Sequence, residues 1–202
     1  MTAVKRSAAV TLPAPAPGRS VALDVFRGLA IAAMLLDHVV LVTGGPELLR
    51  LSAGRLAMSA FFILAGHLSR NLGYRHLGIA LVGVVLPLLV PWIDTPNVLV
   101  WWVVGCASLW LLRWAELPGW VLTVVALTVA ANGWGYAPGF SYDGFALLGL
   151  MGLGTIVPRS AYAWAGRLPT IARVPLAAVG RRPLTWYVGH LLVLQGIVTL
   201  FR

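Results

Sequence analysis

Four ionisable side chains lie inside the first long apolar segment of the chain: Asp24, Arg27, Asp37 and His38. Such groups are costly inside a membrane helix, so each is a candidate for function. Arg27 and His38 are eleven residues apart, which in an α-helix places them nearly in line and roughly 16 Å apart along the axis. A neutral imidazole takes up a proton at physiological pH, and a guanidinium binds phosphate. Asp24, Arg27 and His38 fall on one face of this helix, and all four groups are candidates for a functional site.

Structural roles compete with these functional ones. Asp24 could simply favour the positive N-terminal end of a helix, and Arg27 could pair with it at the membrane surface. Asp37 and His38 lie deeper, where a structural role explains them less well. The second apolar segment brings in Arg55 from the outer end, at about the depth of Asp37 and His38. We expect Arg55 to be their charge partner.

The composition is that of a membrane protein. Of the 202 residues, 59% are hydrophobic and only 10% are charged, whereas a soluble domain carries about a quarter charged residues. The net charge of +9 would suggest nucleic acid, but no soluble segment is long enough to build a basic face, so we expect no nucleic-acid partner. The single Cys106 excludes an intrachain disulfide and a multi-cysteine metal site. We expect no metal and no haem.

The spacing of apolar runs predicts an all-α bundle of about seven transmembrane helices, because a span needs about twenty mostly apolar residues. Residues 1–20, which are basic and rich in proline, predict a flexible cytoplasmic tail, and 21–202 predict one domain. The seven predicted spans cover 21–43, 53–70, 77–93, 97–114, 118–132, 143–158 and 183–201.

Basic residues set the expected orientation, since cytoplasmic loops are enriched in Lys and Arg. With the N-terminus in the cytoplasm, the inner segments hold eleven basic residues and the outer segments hold two, Arg50 and Arg202. The C-terminus is then expected outside. The eleven inner residues are Lys5, Arg6, Arg19, Arg70, Arg75, Arg113, Arg159, Arg167, Arg173, Arg181 and Arg182.

Three motifs carry a resemblance to the integral-membrane acyltransferase superfamily. The run LDVFRGLA at 23–30, with His38 eleven places after Arg27, resembles the superfamily's first helix. The run FFILAG at 61–66 is similar to its second-helix signature, in which serine usually stands at the position of Ala65. The run GRRPLTWYVGH at 180–190 resembles its last-helix pattern of glycine, a short polar stretch, tyrosine and histidine. The superfamily includes bacterial glycan O-acetylases and heparan-alpha-glucosaminide N-acetyltransferase.

Other stretches are similar to the TraX-type pilin acetylases. They are the run MLLDH at 34–38, followed by GRLA at 54–57, and the run NVL at 97–99. The resemblance covers most of 21–202. The chain is shorter than the sugar O-acetylases, which usually have about ten spans, and is closer in size to the TraX-type proteins.

The resemblance implies transfer of an acetyl or other acyl group from acetyl-CoA to a hydroxyl or amine of a peptide, glycan or small molecule at the membrane. His38 would act as base or acyl carrier, tuned by Asp37 or Arg55. The coenzyme would enter from the cytoplasm, with its phosphates near Arg27, Arg181 and Arg182. The other donor-side residues implied are Asp24, Tyr187 and His190.

Two other readings remain open from the residues. Intramembrane charges could line the path of a transporter for a small molecule or lipid. A bis-histidine haem or quinone site is disfavoured, because His38 would lie roughly 24 Å from the inner face and His190 only roughly 10 Å. The protein is expected in the cell membrane, and more specifically in a bacterial inner membrane. The oligomeric state, with a homo-oligomer among the options, stays open.

Overall fold

The computed structural model describes residues 20–68, 74–91, 98–132 and 143–200. Within these ranges 87% of residues are helical and no strand occurs, so the predicted all-α fold is confirmed. The proline-rich tail up to residue 19, Arg70, Asn97, the stretch 133–142 and Arg202 lie outside the described residues. The helices are α1 Val21–Thr43, α2 Glu47–Leu68, α3 Tyr74–Leu89, α4 Val98–Trp114, α5 Trp120–Ala131, α6 Gly144–Gly154, a 3₁₀ helix Arg159–Arg167, α7 Thr170–Arg181 and α8 Pro183–Leu200.

Three helices, α1, α2 and α8, are long and apolar enough to cross a membrane. A fourth span results if α6 and the 3₁₀ helix, which meet at 92°, are counted together. Shorter apolar helices lie within α3, α4 and α5. Large apolar side chains such as Leu88, Ile171 and Leu200 are exposed on the outside of the bundle, as expected where the solvent is lipid. The chain is a helical membrane protein.

The first hairpin differs from the sequence prediction at its turn. Helix α1 ends at Thr43 and is capped by Gly44, whose φ of 67° is in the left-handed region that glycine adopts without strain. Helix α2 then begins at Glu47, six residues before the predicted start of the second span. Arg50 is therefore a helical residue, one turn before Gly54, and not part of a loop.

The segment 159–182, for which the sequence analysis assigned no helix, contains the 3₁₀ helix and α7. Both are too short and too rich in arginine to resemble a span. Helix α7 packs along the N-terminal half of α1, and two glycines make this approach possible. A side chain at Gly28 would overlap the backbone carbonyl of Leu176, and one at Gly180 would overlap the carbonyl of Asp24. Small residues of this kind let membrane helices approach closely.

Helices α7 and α1 run antiparallel, because Gly28 faces Leu176 and Gly180 faces Asp24. Helix α8 then starts after a break in the helix at Arg182. The sequence estimate placed His38 roughly 24 Å and His190 roughly 10 Å from the inner face, but their ring nitrogens lie 2.8 Å apart. The two histidines are therefore at the same depth, and the expected difference in depth is wrong.

Candidate functional site

The side chains of His38 on α1 and His190 on α8 contact each other directly. Nδ1 of His38 lies 2.8 Å from Nε2 of His190, and the two rings meet edge to edge, with their centroids 5.1 Å apart and 20° between their planes. The other ring nitrogen of His190, Nδ1, lies 2.8 Å from the backbone carbonyl oxygen of Trp186. His190 is 9% exposed, and His38 is half-buried.

Asp37 lies beside the same pair. Its Oδ2 atom is 3.8 Å from Nε2 of His38, although successive helical residues point about 100° apart. The carboxylate is buried and rests on α2 at Gly54, where a Cβ atom would come within 2.8 Å of it. The small residue at position 54 is therefore what admits the Asp37 carboxylate between α1 and α2.

The expected partnership with Arg55 is not found. The Arg55 side chain is exposed, whereas Arg50 is close enough to Asp37 for a Coulomb attraction. Arg50 lies one turn before Gly54 on α2, and its Nη2 atom is 3.8 Å from Oε1 of Glu47. The four-residue spacing of Arg50 and Gly54 places both residues on the same side of a helix, and this could have indicated the arrangement. The sequence analysis missed it because it started the second span at residue 53, after Arg50.

A cavity of about 600 Å³ opens next to the site. Charged residues line one end, and apolar and aromatic side chains line most of the remainder. Its volume is in the range of pockets that hold small molecules and cofactors. Of the predicted donor-side residues, four line the cavity: Asp24, Arg27, Arg181 and Tyr187.

Asp24 organises the charged end of this cavity. It is 1% exposed, its Oδ1 atom accepts a hydrogen bond from Nη1 of Arg27 at 2.8 Å, and its Oδ2 atom lies 3.9 Å from Nε of Arg181. One buried carboxylate thus holds guanidinium groups from α1 and α7 side by side. Arg182, also predicted to bind the donor, is exposed and does not line the cavity.

Two lining residues were missed as site candidates. Arg159, at the start of the 3₁₀ helix, adds a third guanidinium group to the cavity, whereas the sequence analysis used it only for orientation. His76 was placed in a loop, but α3 already begins at Tyr74. The His76 side chain is buried and stacks on Trp102 of α4, with ring centroids 5.4 Å apart and 16° between the planes. No pattern in the sequence could pair these two residues.

The cavity leads from the arginine side chains toward the histidine pair. Met34, which lines it, precedes His38 by one helical turn, and Tyr187, which also lines it, precedes His190 by three residues. The ring of Tyr187 meets that of His190 edge-on, with centroids 5.8 Å apart. The cavity therefore ends one helical turn short of the His38–His190 contact. It can hold an elongated anionic molecule with its uncharged end next to a nitrogen base.

Within the described ranges, no three His, Cys, Asp or Glu residues are grouped as a metal site requires. Comparisons with protein-family models, with curated proteins and with solved structures gave no match.

Proposed function

We propose that the protein is a membrane acyltransferase that moves an acyl group, in the first instance acetyl, from acetyl-CoA to a hydroxyl or amine. The main support for the proposal is that residues selected separately from the sequence line the same cavity. Asp24, Arg27, Arg181 and Tyr187 were selected as donor-side residues from the sequence, and they line one cavity. That cavity ends one turn from His38, which was selected as the base.

The charge distribution in the cavity suits the donor. Coenzyme A carries phosphates at one end and a thioester at the other. Arg27, Arg159 and Arg181 can bind the phosphates, because a guanidinium group offers several N–H donors in a planar fork. The apolar stretch near Phe61 and Leu184 suits the uncharged arm of the coenzyme. The thioester would then lie near Tyr187, within reach of His38.

In the proposed reaction His38 acts as a general base. The acceptor oxygen or nitrogen attacks the thioester carbonyl carbon while His38 accepts its proton. The carbon–sulfur bond then breaks, and the coenzyme A thiolate leaves and takes up the proton from His38. The alternative is an acyl-histidine intermediate, in which the His38 nitrogen attacks first and the acceptor displaces it. Trapping radiolabelled acyl groups on the protein distinguishes the two routes.

We further propose that the chain crosses the membrane seven times, with its N-terminus in the cytoplasm. The excess of basic residues in the inner segments supports this orientation. Helices α3 to α6 are shorter than a bilayer core, and local thinning of the bilayer accommodates short spans at modest cost. In this orientation the arginine end of the cavity faces the cytoplasm, where acetyl-CoA is made, and Asp37 lies toward the outer side, from which the acceptor approaches.

The test is acetyl-CoA turnover by the purified protein in lipid nanodiscs. We expect binding of acetyl-CoA, slow hydrolysis, and faster release of coenzyme A when candidate amines or alcohols are added. The His38→Ala protein is expected to bind acetyl-CoA without turning it over. Absence of acetyl-CoA binding to the wild-type protein would overturn the proposal. Uptake of substrate by proteoliposomes, without chemical change of that substrate, would instead identify a transporter.

A further inference from the structure

The hydrogen bonds around His190 determine which nitrogen of each histidine carries a proton. The carbonyl oxygen of Trp186 can only accept, so Nδ1 of His190, 2.8 Å away, must be the protonated nitrogen. A neutral imidazole holds one proton, which leaves a lone pair on Nε2 of His190. That lone pair faces Nδ1 of His38 at 2.8 Å. His38 therefore donates from Nδ1, and its own lone pair is on Nε2.

We propose that His190 is a positioning residue that holds His38 in the tautomer whose Nε2 atom is basic. This inference rests on the proposed function, in which His38 is the base. The Nε2 atom of His38 is also the one that lies 3.8 Å from Oδ2 of Asp37. The carbonyl of Trp186, His190 and His38 thus form a chain of donors and acceptors that points one lone pair toward Asp37. The second ring nitrogen of a functional histidine commonly sets its tautomer in this way.

The Trp186 carbonyl can accept a hydrogen bond from the His190 ring without disrupting helix α8. Its oxygen accepts the backbone N–H of the residue four positions later, which is His190 itself. A carbonyl oxygen has two lone pairs, so it can also accept from the His190 ring. Because both bonds go to one residue, the ring of His190 is held in a fixed orientation relative to its own helix. The chain of hydrogen bonds is thereby tied to the backbone.

The arrangement specifies the path of the proton. The acceptor substrate loses its proton to Nε2 of His38, while the proton on Nδ1 remains in the bond to His190. The acyl carbon gains a bond to the acceptor and loses its bond to sulfur. Nε2 of His38 then returns its proton to the coenzyme A thiolate. While His38 is positively charged, the His190 lone pair faces one side of it and the Asp37 carboxylate faces the other, and both favour the cation.

The decisive experiment compares two substitutions of similar size. In His190→Gln the side-chain amide oxygen can still accept from His38, whereas His190→Met offers only a weakly accepting sulfur. We expect His190→Gln to keep kcat within about tenfold and His190→Met to lose about 10²-fold, the lower range for disturbing a general base. The KM for acetyl-CoA should not change in either variant. Equal kcat for the two variants would overturn the proposal.

His67 provides a matched control. It lies on α2, and its Nδ1 atom is 3.0 Å from the carbonyl oxygen of Val157, so it also pairs with a backbone carbonyl but away from the site. His67→Gln and His67→Met are expected to have the same kcat as the wild type. A loss in His67→Met as large as that in His190→Met would show a general effect of losing a histidine that pairs with a backbone carbonyl, and would overturn the assignment.

A spectroscopic measurement tests the tautomer without relying on turnover. Nitrogen NMR of the protein labelled at its four histidines reports which ring nitrogen is protonated, and single substitutions assign each signal. We expect His38 protonated at Nδ1 in the wild type and in His190→Gln, with loss of this preference in His190→Met. His38 protonated at Nε2 in the wild type would overturn the proposal. If His38→Ala keeps full turnover, the proposed base is wrong, whereas the NMR result tests His190 alone.

Discussion

The Nε atom of Arg181 lies 3.9 Å from Oδ2 of Asp24, so the end of α7 meets the first turn of α1 at the charged end of the cavity. Arg182, the next residue, is exposed. In the proposed function, Arg181 binds the phosphates of the donor, whereas Arg182 only adds to the basic residues of the inner segments.

Lysine substitutions of arginines exploit this difference. Arg27→Lys and Arg181→Lys keep the charge but remove the planar fork of donors, so we expect acetyl-CoA affinity to fall by about tenfold in each, the loss of one charge-assisted hydrogen bond. Arg182→Lys is the control and should bind as the wild type does. Calorimetric titration with acetyl-CoA measures all three. Equal weakening in Arg182→Lys would assign the effect to the surface charge and not to the cavity.

The contact between His38 and His190 predicts that the losses of turnover caused by substituting each residue are not additive. His38→Ala should lower turnover by at least about 10²-fold. Acetyl-CoA binding should survive, because in the proposed function the arginines bind the phosphates at the other end of the cavity. His190→Ala acts on the same step through its contact with His38. The double variant should therefore be no slower than His38→Ala alone, as for residues that act as a unit. Additive losses in a double-mutant cycle would contradict this coupling.

The assignment of His38 as the general base predicts how turnover depends on pH. His38 must be unprotonated to accept a proton, so turnover should fall as the pH is lowered and the imidazole becomes charged. The acidic limb should be missing from the residual activity of His38→Ala. An identical acidic limb in that variant would assign the titration to another group. Acetyl-CoA binding measured at each pH separates loss of chemistry from loss of affinity.

The glycine contact between α1 and α7 predicts a loss of stability. In Gly28→Ala the new methyl group meets the backbone of Leu176, which cannot rotate away, so the two helices must separate. We expect a cost of about 1–3 kcal/mol in the free energy of unfolding, typical of overpacking. Gly189→Ala, where the added group meets no atom of another helix within 4 Å, is the control. Unfolding in detergent mixtures measures both, and equal stability would contradict the close packing.

Cysteine labelling tests the orientation. Because Cys106 is the only cysteine, Cys106→Ala provides a background in which single cysteines are introduced. Ser20 and Leu200 are exposed and lie at the two ends of the described chain. In intact cells an impermeant maleimide should label Leu200→Cys and not Ser20→Cys, and permeabilisation should make both reactive. The reverse pattern would contradict the proposed orientation.

The sequence predicted the class of protein and four of the residues that line the cavity, for a physical reason. Apolar runs, and isolated charges within them, are visible in the local sequence of a single helix. Asp24, Arg27 and His38 could therefore be selected as candidates, because all three lie in one helix. Their meeting with Arg181 and His190 is a property of packing. It depends on Gly28 and Gly180 allowing α7 to lie on α1, and neither glycine signals which helix it will contact.

Two errors have similar origins. Arg55 was chosen as partner of Asp37 because its depth matched, but depth alone does not determine which side of a helix faces a neighbour. Arg50 lies on the same side as Gly54, against which Asp37 packs. His76 could not be selected because its environment is formed by Trp102 from a different helix.

The spacing from Gly28 to His38 within α1, and from Pro183 to His190 within α8, restricts how proteins with this site can change in length. One residue inserted within either stretch turns the following imidazole by about 100° and moves it by about 1.5 Å, which is enough to separate the rings. Insertions and deletions in related chains are therefore expected outside these two stretches. A search for relatives that holds both intervals constant, while leaving the rest of the chain free, would select on the geometry of the site.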